Sequence, residues 1–155
     1  MLTIYFVNKK NVKSYLGIGV IVLLFTYAVG TVYMTIAAFN YLIILAGFLL
    51  RKVNRRIHVT LLSLGILFDL SLVLLLEFQR DAIATAVSLK LSPLNQAHIY
   101  FSSLATLLYI PMVITGIMIL KKERCRIWHR RLGYGTIFFR TLGFLLMFSM
   151  LTPKN

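Results

Sequence analysis

The sequence predicts an all-α, polytopic membrane protein, a bundle of about five transmembrane helices in a single membrane domain over residues 1–155. Of these residues, 59% are hydrophobic and only 14% are charged. Uncharged stretches of around 20 residues recur, which is the length a helix needs to cross a bilayer. The chain has one cysteine, Cys125, so no intrachain disulfide framework can form. These features exclude a soluble enzyme, a disulfide scaffold and a disordered tail.

The first two spans come from one uncharged run, Ser14 to Leu50. A single helix of that length would reach roughly 55 Å, whereas the hydrocarbon layer is about 30 Å thick. The run therefore predicts a hairpin, with spans near 15–31 and 35–50 and a turn around residues 30–34. Ala28-Val29-Gly30 is similar to a signal-peptide cleavage site. We nevertheless assign the run to the membrane domain, because it continues beyond the length of a signal peptide's apolar region.

Three further spans are predicted at about 57–78, 97–120 and 132–151, each an apolar run bounded by charged or polar residues. Residues 79–96 form the only substantial predicted loop. Pro111 lies inside the fourth span, where it lacks a backbone N–H and is expected to kink the helix.

The basic residues predict the orientation of the bundle. Thirteen of the 17 Lys and Arg residues lie in three clusters, before the first span, between the second and third, and between the fourth and fifth. With five spans all three clusters fall on one side, which by the positive-inside rule is the cytoplasm. We therefore expect a multi-pass inner (plasma) membrane protein with a cytoplasmic N-terminus and an external C-terminus. Membrane orientation and binding of anionic lipids account for the net charge of +13, so nucleic acid is not the expected partner.

Two charged residues fall inside predicted spans. Asp69 lies about 18 Å, and Arg140 about 12 Å, from the inner surface at the helical rise. A charge inside a bilayer is costly unless it is paired, so we predict an Asp69–Arg140 ion pair between the third and fifth spans. Three interpretations stay open. The pair fixes helix register, the Arg140 side chain snorkels to the inner surface, or Arg140 binds an acidic group of a ligand, such as a haem propionate.

All three histidines lie at predicted span starts. His58 and His129 share the inner side, where they are candidate ligands for one haem or one metal ion. His98 lies on the outer side, together with Glu77 and Asp81. Imidazole and carboxylate groups suit copper and other transition metals, so these three residues form a second, outer candidate metal site. The alternative for each histidine is an amphipathic residue at the membrane interface.

Motifs of catalysis are missing from the sequence. HExxH, CxxC, GxSxG, P-loop and GxGxxG patterns do not occur, and the predicted loops are too short for a nucleotide-binding domain. No catalytic residue is therefore assigned, and a non-enzymatic role is favoured over an enzymatic one.

Three stretches together resemble a family of small bacterial inner-membrane proteins, the YozB/CtaM-like group. They are Arg55-Arg56-Ile57-His58, Ala97-His98-Ile99-Tyr100-Phe101-Ser102-Ser103-Leu104-Ala105 and His129-Arg130-Arg131-Leu132-Gly133. The resemblance covers residues 40–151 and implies haem or copper handling in the assembly of haem-copper respiratory oxidases, with a terminal oxidase as partner. The chain departs from the family at Glu77-Phe78-Gln79-Arg80, where the family has a further histidine, and at Arg140, where it has a neutral aromatic-rich stretch.

The stretch that begins at His129 is also similar to cytochrome b561-type proteins, which hold haem b between histidines of a helical bundle. This resemblance implies an electron carrier. Such proteins usually use four histidines for two haems, and three histidines allow at most one haem with two histidine ligands, here His58 and His129. A third possibility is a structural or accessory subunit of a larger membrane complex.

Overall fold

A computed structural model describes residues 9–81, 84, 91–121 and 125–150. In these ranges the chain forms five α-helices and no strand, which confirms the all-α prediction for this part of the molecule. The helices are α1 (Lys9–Val29), α2 (Val32–Leu49), α3 (Arg55–Arg80), α4 (Pro93–Leu120) and α5 (Arg126–Met147). Short 3₁₀ turns follow α2 (Leu50–Lys52) and α5 (Phe148–Met150).

Three of the described helical segments are long and apolar enough to cross a membrane, judged by length and composition. They are Val32–Lys52, which is α2 with its 3₁₀ turn, Arg55–Gln79 in α3, and Pro93–Leu120, which is α4. In α1 the apolar part is the shorter segment Ser14–Ala28. Large apolar side chains are exposed along these helices, as expected for surfaces that face hydrocarbon. The five-span count and the orientation remain predictions.

Two helix starts lie earlier than the predicted spans because a side chain caps each of them. Thr31 precedes α2, and its hydroxyl accepts a hydrogen bond from the Met34 amide at 3.3 Å. The predicted turn at 30–34 is therefore too long, since Val32 is already helical. Ser92 caps α4 in the same way, and Pro93 occupies the first turn, where a missing N–H is no disadvantage.

Helix α5 also begins earlier than its predicted span, at Arg126 instead of residue 132. The basic cluster at Arg126, Arg130 and Arg131 therefore lies within the helix. Arginine is a good helix former, and the end of a helix need not coincide with the end of its apolar segment. Helix α4 continues through Pro111.

The chain divides into two compact units, an N-terminal unit (Met1–Leu72) and a C-terminal unit (Val73–Asn155). Of the predicted loop at 79–96, residues 82, 83 and 85–90 lie outside the described residues, and residues 93–96 belong to α4. Helix α3 ends at the start of this predicted loop. Asp81, which follows the helix, has a φ of 45°, and the Asp81 amide donates a hydrogen bond to the Glu77 carbonyl at 3.0 Å. Such a left-handed residue is a common helix terminator.

In the N-terminal unit, α2 packs antiparallel against the first part of α3. Asn40 contacts Gly65 and Asp69 at one end of this interface, and Gly47 contacts His58 at the other. A Cβ atom added at Gly65 would lie 2.5 Å from Cγ1 of Ile44. The two helices are thus in close contact along their shared face.

In the C-terminal unit, α4 and α5 form a second antiparallel pair. The Ser149 hydroxyl donates to the Asn95 side chain at 2.8 Å near one end. Cys125 lies beside Met118 at the other end, with their sulfur atoms 3.8 Å apart. This pair carries two of the three histidines, so its register determines where their side chains lie.

Candidate histidine sites

His58 lies in the first turn of α3, which Asn54 caps by accepting hydrogen bonds from the amides of Arg56 and Ile57. The half-buried His58 ring places Nδ1 2.8 Å from the carbonyl oxygen of Gly47 on α2. A Cβ atom at Gly47 would lie 3.0 Å from Cβ of Leu61. The absence of a side chain at Gly47 therefore allows the two helices to approach closely where His58 makes this contact.

His98 lies in the second turn of α4 and makes the same kind of contact across the other helix pair. Its Nδ1 is 2.7 Å from the carbonyl oxygen of Gly143 on α5. Gly143 is buried, and a Cβ atom there would lie only 2.6 Å from Oγ of Ser102. Arg140 lies less than one turn before Gly143 on α5. Its positive charge is therefore close enough to the His98 ring to interact with it electrostatically.

His129 lies in the first turn of α5 and contacts the C-terminal part of α4. Its Nδ1 is 3.1 Å from the carbonyl oxygen of Met112 and 3.2 Å from Oγ1 of Thr115. A Cβ atom at Gly116 would lie 3.3 Å from Cε1 of the same ring. Glycine at this position therefore leaves room for the imidazole against α4.

The three histidines share one hydrogen-bonding arrangement, in which Nδ1 meets a backbone carbonyl of a neighbouring helix. A carbonyl oxygen only accepts hydrogen bonds, so in the neutral ring Nδ1 carries the proton and Nε2 carries the lone pair. Histidines that bind metals or haem iron are typically oriented in this way by a carbonyl or carboxylate. The same hydrogen bond also joins two neighbouring helices, and this is the structural alternative to ligand binding for each histidine.

The structure places His98 and His129 at opposite ends of the α4–α5 pair. The α4 residues that contact His129, Met112 to Gly116, lie 14 to 18 positions after His98. At the helical rise this separation is about 21 to 27 Å. These two histidines therefore do not share a ligand. His58 belongs to the N-terminal unit, and its predicted cooperation with His129 remains a prediction.

The predicted outer metal site combines His98, Glu77 and Asp81. Within residues 9–81, 84, 91–121 and 125–150, no group of three or more His, Cys, Asp or Glu side chains is placed to hold a metal ion. The described structure therefore does not bring the three predicted ligands together as a metal centre.

Asp69 is buried in α3, with 4% of its surface exposed, and its Oδ1 accepts a hydrogen bond from Nδ2 of Asn40 at 2.6 Å. Asn40 is 1% exposed and also donates to the Gly65 carbonyl at 3.0 Å. Sequence reasoning missed Asn40, although a single amide within a long apolar run is a visible signal. A pair between Asp69 and Arg140 would join the two units and remains a prediction.

Two buried hydroxyl groups of the C-terminal unit were also missed. Oγ of Ser102 and Oγ1 of Thr136 have no hydrogen-bond partner among the described residues. By contrast, the hydroxyls of Thr106, Thr115 and Thr141 each donate to a carbonyl of the preceding turn. Ser102 and Thr136 therefore add polar atoms to a helix pair that already carries His98 and Arg140.

No protein-family model, curated protein or solved structure matches the chain.

Proposed function

We propose that this chain is a multi-pass inner-membrane protein that binds haem or copper through histidine Nε2 atoms and assists the assembly of a respiratory oxidase. The observation that carries the proposal is the shared arrangement of the three histidines, each with Nδ1 held by a backbone carbonyl. Three apolar helices of spanning length support the membrane location. The sequence resemblance supports the oxidase partner.

The imidazole nitrogens of His58 and His129, on the predicted inner side, suit haem iron as ligands. Because Nδ1 meets a carbonyl, the neutral rings of His58 and His129 carry the lone pair on Nε2, the nitrogen that would bind iron or copper. Arg140, half-buried in α5, carries its positive charge near His98, at the other end of the α4–α5 pair from His129, so it would suit an acidic ligand group at that end. A bound haem would supply redox chemistry or serve as cargo for the oxidase. The chain's own residues would orient it and hold it away from water.

Optical absorbance of the detergent-purified protein, with metal analysis, tests this proposal. We expect a Soret band after addition of haem, or bound copper in stoichiometric amount. A preparation that stays colourless and metal-free after reconstitution would show that the proposed function is wrong. Co-purification with a partner that is indifferent to histidine substitution would instead favour an accessory subunit.

Substitution of histidine by asparagine separates ligand binding from helix packing. In His58→Asn and His129→Asn, the amide Nδ2 can replace Nδ1 as donor to the Gly47 or Met112 carbonyl, but no atom replaces Nε2. We expect these variants to fold and to lose the haem spectrum. The matched control is Thr115→Val, which removes the hydroxyl beside His129 and retains the imidazole. If its spectrum is retained, loss in His129→Asn reflects the missing ligand.

A further inference from the structure

The end of the α4–α5 pair that carries His129 brings together the chain's single cysteine and a methionine. Sγ of Cys125 lies 3.8 Å from Sδ of Met118, and both side chains are partly exposed. Met118 is in the last turn of α4, and Cys125 directly precedes α5. Both therefore sit on the ends of packed helices, which limits their relative movement.

The separation of the two sulfur atoms suits a shared metal ion. Sulfur ligands bind at about 2.3 Å, so two of them subtending roughly 110° lie about 3.8 Å apart. A linear arrangement would require about 4.6 Å at the same bond length. The bent geometry leaves room for a third ligand.

His129 is positioned to be that third ligand. It follows Cys125 by one helical turn, and its amide donates to the Cys125 carbonyl at 3.0 Å. Its ring contacts Thr115, which is three residues before Met118 and therefore on the same face of α4. A Cβ atom at Gly116, two residues before Met118, would lie 3.3 Å from Cε1 of the same ring. The imidazole therefore packs against α4 within one helical turn of Met118.

We propose that Cys125, Met118 and His129 form a Cu(I) site. Thiolate and thioether sulfur are soft donors that select Cu(I), and imidazole also binds copper. On binding, the S–H bond of Cys125 breaks, a Cu–S bond forms and the proton passes to solvent, with no change in the oxidation state of copper. Cu(I) and one thiolate are together neutral, so the ion adds no net charge beside the basic residues at the start of α5. The site rests on the proposed function, of which it specifies the copper part.

An anaerobic titration with Cu(I), added as its acetonitrile complex in competition with a chromophoric chelator, tests the site in the full chain in detergent. We expect one Cu(I) per chain, with at least two sulfur neighbours in X-ray absorption spectra. Cys125→Ser and Met118→Leu should each lower the affinity at least about tenfold, since each removes one ligand. Leucine closely matches methionine in volume, so Met118→Leu is expected to keep the fold.

The matched control is Met147→Leu, which changes a buried methionine near the other end of α5 and should leave the affinity unchanged. If Cys125→Ser and Met118→Leu bind Cu(I) as tightly as the wild type, the sulfur contact is only a weak S–H···S interaction and the site is wrong. That result leaves the proposed function intact if haem or copper still binds elsewhere. Binding of neither haem nor copper by the wild type contradicts the proposed function itself.

Discussion

Gly143→Ala tests whether close packing of α4 against α5 positions His98. A Cβ atom at Gly143 would lie 2.6 Å from Oγ of Ser102, and also 3.4 Å from its backbone nitrogen and 3.5 Å from its Cα. The two backbone distances are ordinary van der Waals contacts, so the overlap is with the hydroxyl alone. Because Oγ of Ser102 is buried, it can move only into the packed interface or together with α4. The substitution is therefore expected to separate the two helices locally and to lengthen the hydrogen bond between His98 and the Gly143 carbonyl.

The expected magnitude combines two opposing terms. Overpacking a tight interface costs about 1 to 3 kcal/mol. Replacing a helical glycine with alanine favours the helix by about 0.5 to 1 kcal/mol. The net effect on the free energy of unfolding is a loss of up to about 2.5 kcal/mol, before any weakening of the hydrogen bond to His98.

Gly133→Ala is the matched control, because Gly133 lies in the same helix and a Cβ atom there would meet nothing within 4 Å. It gains the helix-propensity term without the packing cost, so it should stabilise the protein slightly. Denaturation of both variants in detergent, followed by circular dichroism, gives the comparison. We expect Gly143→Ala to be less stable than Gly133→Ala by about 1 to 3 kcal/mol. Equal stabilities would refute the packing described at Gly143.

Three further predictions concern the N-terminal unit and the orientation. A double-mutant cycle of Asn40→Ala and Asp69→Ala should give a coupling energy of about 0.5 to 3 kcal/mol, and additive effects would contradict their hydrogen bond. Gly65→Ala should be less stable than Gly17→Ala, because a Cβ atom added at Gly65 meets a neighbouring side chain and one added at Gly17 does not. Equal melting temperatures of the two variants would contradict this prediction. A reporter fused after Asn155 should be active only outside the cytoplasm, and cytoplasmic activity would exclude the five-span orientation.

The helical class and the approximate helix positions follow from hydropathy, because a membrane-spanning helix must be uniformly apolar over its length. Helix ends follow less well. Thr31 and Ser92 begin α2 and α4 earlier than the predicted spans by local capping hydrogen bonds, and α5 begins at Arg126 inside a charged segment. Hydropathy predicts which segments can lie in the lipid bilayer. The ends of the helices depend instead on hydrogen bonds to their terminal backbone groups.

The candidate site was predictable in residue type but not in its contacts. The histidines were identified from their positions at span starts. Their partners are backbone carbonyls of Gly47, Gly143 and Met112, and sequence pattern does not reveal which carbonyl a distant side chain will meet. The positions of the glycines in the sequence do not reveal the close contacts either, since helix register decides which glycines face a neighbouring helix.

Nitrogen NMR of histidine-labelled protein tests the central claim most directly, that Nδ1 is held within the protein and Nε2 binds the ligand. The spectrum would be recorded before and after addition of a diamagnetic probe, zinc protoporphyrin or Cu(I). The account predicts an Nδ1–H tautomer in the free protein and a large shift confined to Nε2 when the probe binds. An Nε2–H tautomer, or resonances that do not move with either probe, would contradict it.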